Sequence, residues 1–277
     1  MKQQIVCAVM LLCCATAFAD ISGVIVDSAG NSVADARVFV EPGIEGATVE
    51  GQVAGDGRFS IHGDFYGGVG VFAIAPRYGF GGVHLNIAAG DDPGNITITL
   101  APVASVRGTV TDSKGAVIAG ARLVSIAVIA PVKVGIPLSK LTEHGISLPE
   151  SDASGQFSIG FVPQNATLAL KFDHPLYAQE AVMDVPAGAE AVRITMHRGV
   201  TVRGQVTIRG TESPVSRAVV TARNAQPPHD TAFSVTDGSG VFDLRLKPGV
   251  YLFQSFAAGR ISPGLQRVDV TGELPEQ

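Results

Sequence analysis

The chain is 277 residues long, carries a formal net charge of -5, and is 46% hydrophobic, 16% charged and 6% aromatic. A mildly acidic chain lacks the basic footprint of a nucleic-acid binder, and its length admits one to three domains of ordinary size. Abundant Gly, Val, Thr, Ala and Pro favour strands and turns over helices.

Residues 1–4 form a short n-region with one positive charge, residues 5–14 an apolar run too short to span a bilayer, and Ala17-Phe18-Ala19 a small-x-small cleavage site before Asp20. Residues 1–19 are therefore predicted to be a secretory signal peptide. Lipidation at Cys14 is the alternative, disfavoured by the Cys13 that precedes it. Cys7, Cys13 and Cys14, the three cysteines of the chain, all fall in this segment. The exported chain is expected to carry no disulfide, no thiol nucleophile and no thiolate metal ligand. It is predicted to be secreted or periplasmic and soluble, because no later run is long and apolar enough to span a membrane as a helix.

The first copy of a repeated unit, residues 20–102, opens with GVIVDSAGNSVADARV at 23–38, which reads as a strand, a turn and a second strand starting at Ala36. In DGRFSI at 56–61, alternation puts Phe59 and Ile61 on one face of a strand, a predicted core. Further strands are predicted at 69–75, 83–87 and 96–100. This copy holds 10 acidic and 3 basic side chains, so the chain's excess of negative charge sits here, read as a solubilising surface. The second copy, 103–199, repeats the opening as GTVTDSKGAVIAGARL at 108–123 and the second phrase as DASGQFSI at 152–159, with strands at 166–172, 181–185 and 192–196. The third, 200–277, has a degraded GQVTIRGTESPVSRAVV at 204–220, DGSGVFDL at 237–244, and strands at 250–256 and 266–270. From opening Gly to second-strand Ala the offsets are 13, 13 and 14 residues. The junctions between copies are too short to be linkers, so a semi-rigid rod is expected.

Two departures from the repeat stand out. Copy two carries an insertion at 130–149, APVKVGIPLSKLTEHGISLP, whose apolar Val132, Val134, Ile136, Leu138 and Leu141 make a poor water-facing loop. It is expected to fold back on its own domain or to meet a protein partner, and those five residues are the candidate partner-binding set. After 266–270, copy three has TGELPEQ where the other copies have their last strand. An open edge is therefore predicted at the C-terminal strand, ready to accept a strand from a second copy or a partner.

The G-x-V-x-D-x-x-G opening of copy two (Gly108, Val110, Asp112, Gly115, then Ile118, Ala121 and Leu123), and Asp237, Gly240, Phe242, Pro248, Gly249 and Tyr251 of copy three, resemble the carboxypeptidase regulatory-like domain, a transthyretin-like sandwich. The resemblance covers nearly all of residues 20–277. It implies an all-β chain of three tandem antiparallel Ig/prealbumin-like β-sandwiches, with seven strands in the first two and six or seven in the third. It also implies an accessory, scaffold or adhesive role without catalysis, and a likeness to starch-binding folds. Copy three departs from the pattern at Arg209-Gly210-Thr211, and copy one lacks a clean Pro-Gly-x-Tyr.

The residues themselves supply no catalytic pattern. The six histidines are scattered, with no H-E-x-x-H, and no G-x-S-x-G occurs. Asp27, Asp112, Asp152 and Asp237 each precede a Gly by three places, the spacing of a side chain that accepts turn amides, and one carboxylate per turn is a poor calcium cage. The glycine-rich 66–68 and 79–82 are read as loops. No cofactor and no metal is expected. Carbohydrate binding is the alternative to a protein partner; with no Trp, its candidate residues are Tyr66 and Tyr78.

Overall fold

The structure is a computed structural model that describes residues 20–42, 48–88, 91–227, 229–257 and 264–271. The expected signal peptide at 1–19 and the tail at 272–277 lie outside the described residues. Among the described residues are twenty strands and one short helix, an all-β, β-sandwich-like fold. No helix among the described residues is long and apolar enough to cross a membrane.

The strands fall into three sets in the order of the repeats. The first holds β1 (Ile21–Asp27), β2 (Arg37–Pro42), β3 (Val49–Val53), β4 (Arg58–Ile61), β5 (Gly67–Ala75), β6 (Tyr78–Ile87) and β7 (Asn95–Leu100). The second holds β8 (Val103–Asp112), β9 (Arg122–Ala130), β10 (Val134–Gly135), helix α1 (Leu138–Glu143), β11 (Gln156–Pro163), β12 (Thr167–His174), β13 (Tyr177–Pro186) and β14 (Val192–Met196). The third has β15 (Val200–Gln205), β16 (Val219–Asn224), β17 (Thr231–Val235), β18 (Val241–Leu246), β19 (Gly249–Phe256) and β20 (Gln266–Val270).

Sheet order repeats with them: β13-β12-β9-β10 and β11-β8-β14 in the second unit, β20-β19-β16-β17 and β18-β15 in the third. In the first unit β3 pairs with β2 through Val49 and Gly51 and with β4 through Gln52 and Val53. This corner strand joins both groups into one seven-stranded sheet, β6-β5-β2-β3-β4-β1-β7. One expectation needs correcting, because the complete units are not purely antiparallel: β7 runs parallel to β1, and β14 parallel to β8. The last strand of each returns from the other sheet edge, so it arrives in the direction of the first.

That parallel pairing explains the opening glycine. A Cβ on Gly23 would lie 2.1 Å from the Ile96 carbonyl oxygen, and one on Gly108 would lie 2.3 Å from that of Val192 and 2.7 Å from the Phe157 ring. The cores form where alternation predicts. Phe59, Ile61, Phe157, Ile159 and Leu244 are buried, whereas Phe242 is only partly so.

The recurring aspartates close the turns. Asp27 Oδ1 accepts the Ala29 and Asn31 amides, Asp112 Oδ1 those of Lys114 and Ala116, Asp152 Oδ1 those of Ser154 and Gln156, and Asp237 Oδ1 those of Ser239 and Val241. The glycine three places on takes φ between 73 and 85° in all four turns. Hydrogen bonds to Asn31, Ser154 and Ser239 lead the causes that hold Asp27, Asp152 and Asp237 below the ordinary carboxylate value.

Beside two of these turns sits a buried hydroxyl. Ser151 Oγ donates to Ile118 O at 2.7 Å and accepts the Ala121 amide at 2.9 Å; Thr236 Oγ1 does the same for Val215 O at 2.7 Å and Ala218 N at 2.8 Å. Each latches the second strand to the turn ahead of the Phe strand. Ser151→Ala leaves a buried carbonyl and amide unpaired, and urea unfolding is expected to show a loss of about 1–3 kcal/mol.

Candidate functional site

The most elaborated region is the junction of the first two units. Strand β2 reads Val38-Phe39-Val40: Val38 and Val40 pack into the first unit's core, while Phe39 points the other way and is still fully buried. Strand β5 does the same with Val71 and Ala73 against Phe72 and Ile74. Phe39 stacks on Phe72 with centroids 5.2 Å apart, and with Phe80 they belong to the apolar cluster of the second unit. The second unit's core therefore extends onto the outer face of the first unit, whose own core is a separate cluster. A continuous apolar run marks a strand buried on both faces, and this is the signal in 38–40 and 71–75 that period-two reasoning passes over.

The insertion fills the seam. Val134, Ile136 and Leu141 are buried in the shared cluster, Leu138 packs on it partly buried, and Val132 remains 50% exposed. Four of the five candidate partner-binding residues thus spend their apolar surface inside the chain. The insertion folds back, and what it reaches includes the first unit as well as its own. Helix α1 supplies Leu141 and ends at His144, whose ring lies 5.2 Å from Phe39, and the ammonium of Lys140 stands 5.9 Å over the same ring.

The glycines at 79–82 are correspondingly strand, not loop, within β6. A Cβ on Gly79 would sit 2.3 Å from the Pro163 nitrogen, so the absent side chain is what lets β11 reach β6.

The rim of this seam is polar. Arg37 donates from Nε to Glu50 at 2.7 Å and from Nη1 to His144 Nδ1 at 2.5 Å. Burial, then the Arg37 guanidinium, holds the His144 imidazole below its ordinary value, with Lys140 adding to this and Glu50 and Glu143 opposing it. A histidine with a depressed folded value stays neutral while the unfolded chain takes up a proton. The stability tied to it is whole above its ordinary value of 6.5 and is lost as pH falls through the folded one. The melting temperature is expected to fall between pH 7.5 and about 5.5, and His144→Gln to flatten part of that slope.

A cleft of about 640 Å³ opens beside the seam, lined by Arg37, Ile74, Tyr78, Phe80, His144 and Phe161 among others. Tyr78 is half-buried there, at the Ala75 end of the β5–β6 hairpin, whereas Tyr66 is 64% exposed just before β5 at the other end. The strand between them spans roughly 30 Å at about 3.3 Å per residue, so the two tyrosines form no common platform. Among the described residues no group of three or more His, Cys, Asp or Glu is placed to hold a metal ion.

The second joint is of a different kind. Gln179 of β13 donates from Nε2 to the Phe233 carbonyl at 2.8 Å and accepts the Phe233 amide at Oε1 at 3.0 Å, pairing its side chain with the edge of β17. Lys171 donates to the Thr231 carbonyl, and Lys247 pairs with Glu180 at 2.9 Å. The third unit keeps its own core, built on Val220, Ala222, Leu244, Leu246, Tyr251 and Phe253.

The sequence matches no protein-family model and no curated protein. Among solved structures the chain is similar to the Bacillus anthracis TIE protein, at 12% identity and a TM-score of 0.26 over 92% of this chain and 49% of that one. It is similar to a streptococcal ancillary pilin, at 9% identity and 0.26 over 92% of this chain and 96% of that one. It is also similar to the shaft pilin SpaA of Lactobacillus rhamnosus GG, at 11% identity and 0.28 over 66% and 98%. The chain spans about half the length of the TIE protein. Likenesses this distant assign no function.

Proposed function

We propose that this protein is an exported, non-catalytic scaffold of three tandem β-sandwich modules, at 20–102, 103–199 and 200–277, of the carboxypeptidase regulatory-like kind, and that it works through protein contacts. The observation that carries this reading is the second unit's core, which extends over Phe39, Phe72 and Phe80 on the outer face of the first unit and is sealed by the insertion that the second unit alone possesses. A chain that commits its extra apolar residues to joining modules is built to hold them at a set spacing, the task of a scaffold. The repeated phrases support it, since their residues close turns, seat strands and fill cores.

In-cell cross-linking of the tagged protein in its native host, read by mass spectrometry, tests the proposal. A protein recovered in constant ratio, and lost when the cross-linkable surface is mutated, is the expected result. Recovery of none, with wild-type protein retained on a glycan array and released by Tyr66→Ala, overturns it in favour of a carbohydrate-binding module.

A further inference from the structure

Among the described residues, the third unit has no counterpart of the last strand of the other two. In the first unit β1 lies between β4 and β7, and in the second β8 lies between β11 and β14; β15 has β18 on one side and, among the described residues, no strand on the other. The place of the missing last strand is thus beside β15; β20, where the sequence suggested the opening, is also an edge of its sheet among the described residues. Strand β20 is the counterpart of β6 and β13 and has its partner in β19.

The missing strand leaves its imprint in the core. Strands β7 and β14 share one burial pattern: Ile98 and Leu100, like Ile194 and Met196, are buried, Ile96 and Val192 are partly so, and Thr97, Thr99, Arg193 and Thr195 are exposed. Beneath them Ile21 and Ile25, or Val106 and Val110, are fully buried. The counterparts in the third unit, Val202 and Val206, are only partly buried, as is Phe242. Between the two sheets at this edge lies a groove of about 420 Å³, lined by Val206, Val220, Phe242, Phe253 and Leu265 among others. Leu265 is 62% exposed at its mouth. Gly204 is retained where a Cβ on its counterparts would strike the carbonyl of the neighbouring strand, so the edge keeps the space for that approach.

We infer that β15 accepts an extended strand of a partner polypeptide, added parallel to it, with large aliphatic side chains at three alternate positions and polar ones between. This names the partner chemistry of the scaffold proposed above and rests on that reading. The two internal strands define what fits: in their register the first aliphatic residue stands opposite Gly204 and the second opposite Val206, and the second and third fill the groove. The chain's own residues 271–277, TGELPEQ, carry one large aliphatic residue followed by a proline and do not supply that pattern.

The test uses the exported chain, residues 20–277, with two capped peptides copied from its own strands, PGNITITLA (93–101) and AEAVRITMH (189–197). Their native sites are filled in the first two units, so saturable binding at one peptide per chain, with new hydrogen-exchange protection confined to the stretch from Arg203 to Ile208 that this register sets beside the peptide, is the expected result. A peptide with Ile98→Asp and Leu100→Asp is expected to bind about tenfold more weakly or worse, the loss of two buried aliphatic contacts. Gly204→Val in the protein is expected to abolish binding. Val206→Asp is the second variant should Gly204→Val disturb folding, with protection of Val219–Asn224 as the folding control. The inference is overturned if millimolar peptide leaves the amides from Arg203 to Ile208 unchanged. It is equally overturned if those amides are protected in the free protein at every concentration, which places this chain's own residues on the edge, or only at high concentration, which places a second copy there. Failure of the peptides while a cross-linked partner persists would sink the strand assignment and leave the scaffold standing.

Discussion

Replacing residues 131–148 with a short Gly-Ser turn is expected to split the thermal unfolding of the first two units into separate transitions. The substitution removes Val134, Ile136 and Leu141 and bares Phe39, Phe72 and Phe80, an apolar face that the insertion and second unit cover together. Leu141→Ala alone leaves a cavity under a side chain that is 1% exposed, and should cost about 2–5 kcal/mol in urea unfolding. Calorimetry checks the splitting, and binding of a dye to the exposed aromatic face is expected to rise with it. A single unchanged transition would mean that the shared core does not couple the units.

Gly108→Val should be the most damaging single substitution in the second unit. A Cβ there meets the Val192 carbonyl oxygen at 2.3 Å and the Phe157 ring at 2.7 Å, so β14 must leave β8 or Phe157 must leave the core. Overpacking against backbone has no side chain to yield, and the loss is expected to reach or exceed about 3 kcal/mol. Gly204→Ala provides the contrast. Its Cβ meets only the outer atoms of the partly exposed Phe242 ring, at 2.5 Å, with no neighbouring-strand carbonyl behind it. It should be milder than Gly108→Ala, and a reversal of that order would contradict the assignment of β15 as an open edge.

The repeat was legible because its residues have local duties. A turn aspartate, a glycine three places on and an alternating Phe-x-aliphatic strand constrain one another over a few residues, and all of them but the partly buried Phe242 stand where spacing puts them. Strands β3 and β17 were not legible. VEGQV has little alternation, and β3 exists because it bridges two sheets, a role set by distant partners. Helix α1 was hidden for a similar reason: six residues after a proline do not sustain a helix alone, and Leu141 holds this one by docking into the seam. At the junction, the apolar residues of the insertion were visible, but their destination on the outer face of the first unit required knowing that 38–40 and 71–75 are buried on both sides.

The parallel pairing of first and last strands also sets how each unit would carry a pull along the chain. In the first unit β1 and β7 are matched over six residue pairs, Ser22 with Asn95 through Asp27 with Leu100, and in the second β8 and β14 over five. Tension applied to the two ends of such a unit slides the matched strands past each other, so their cross-strand bonds resist together in shear instead of opening one by one. The third unit has no such clamp among its described residues, because β15 stands alone on that side. Under load it is the mechanical fuse of the chain, and a strand seated on β15 would convert it into a third load-bearing link.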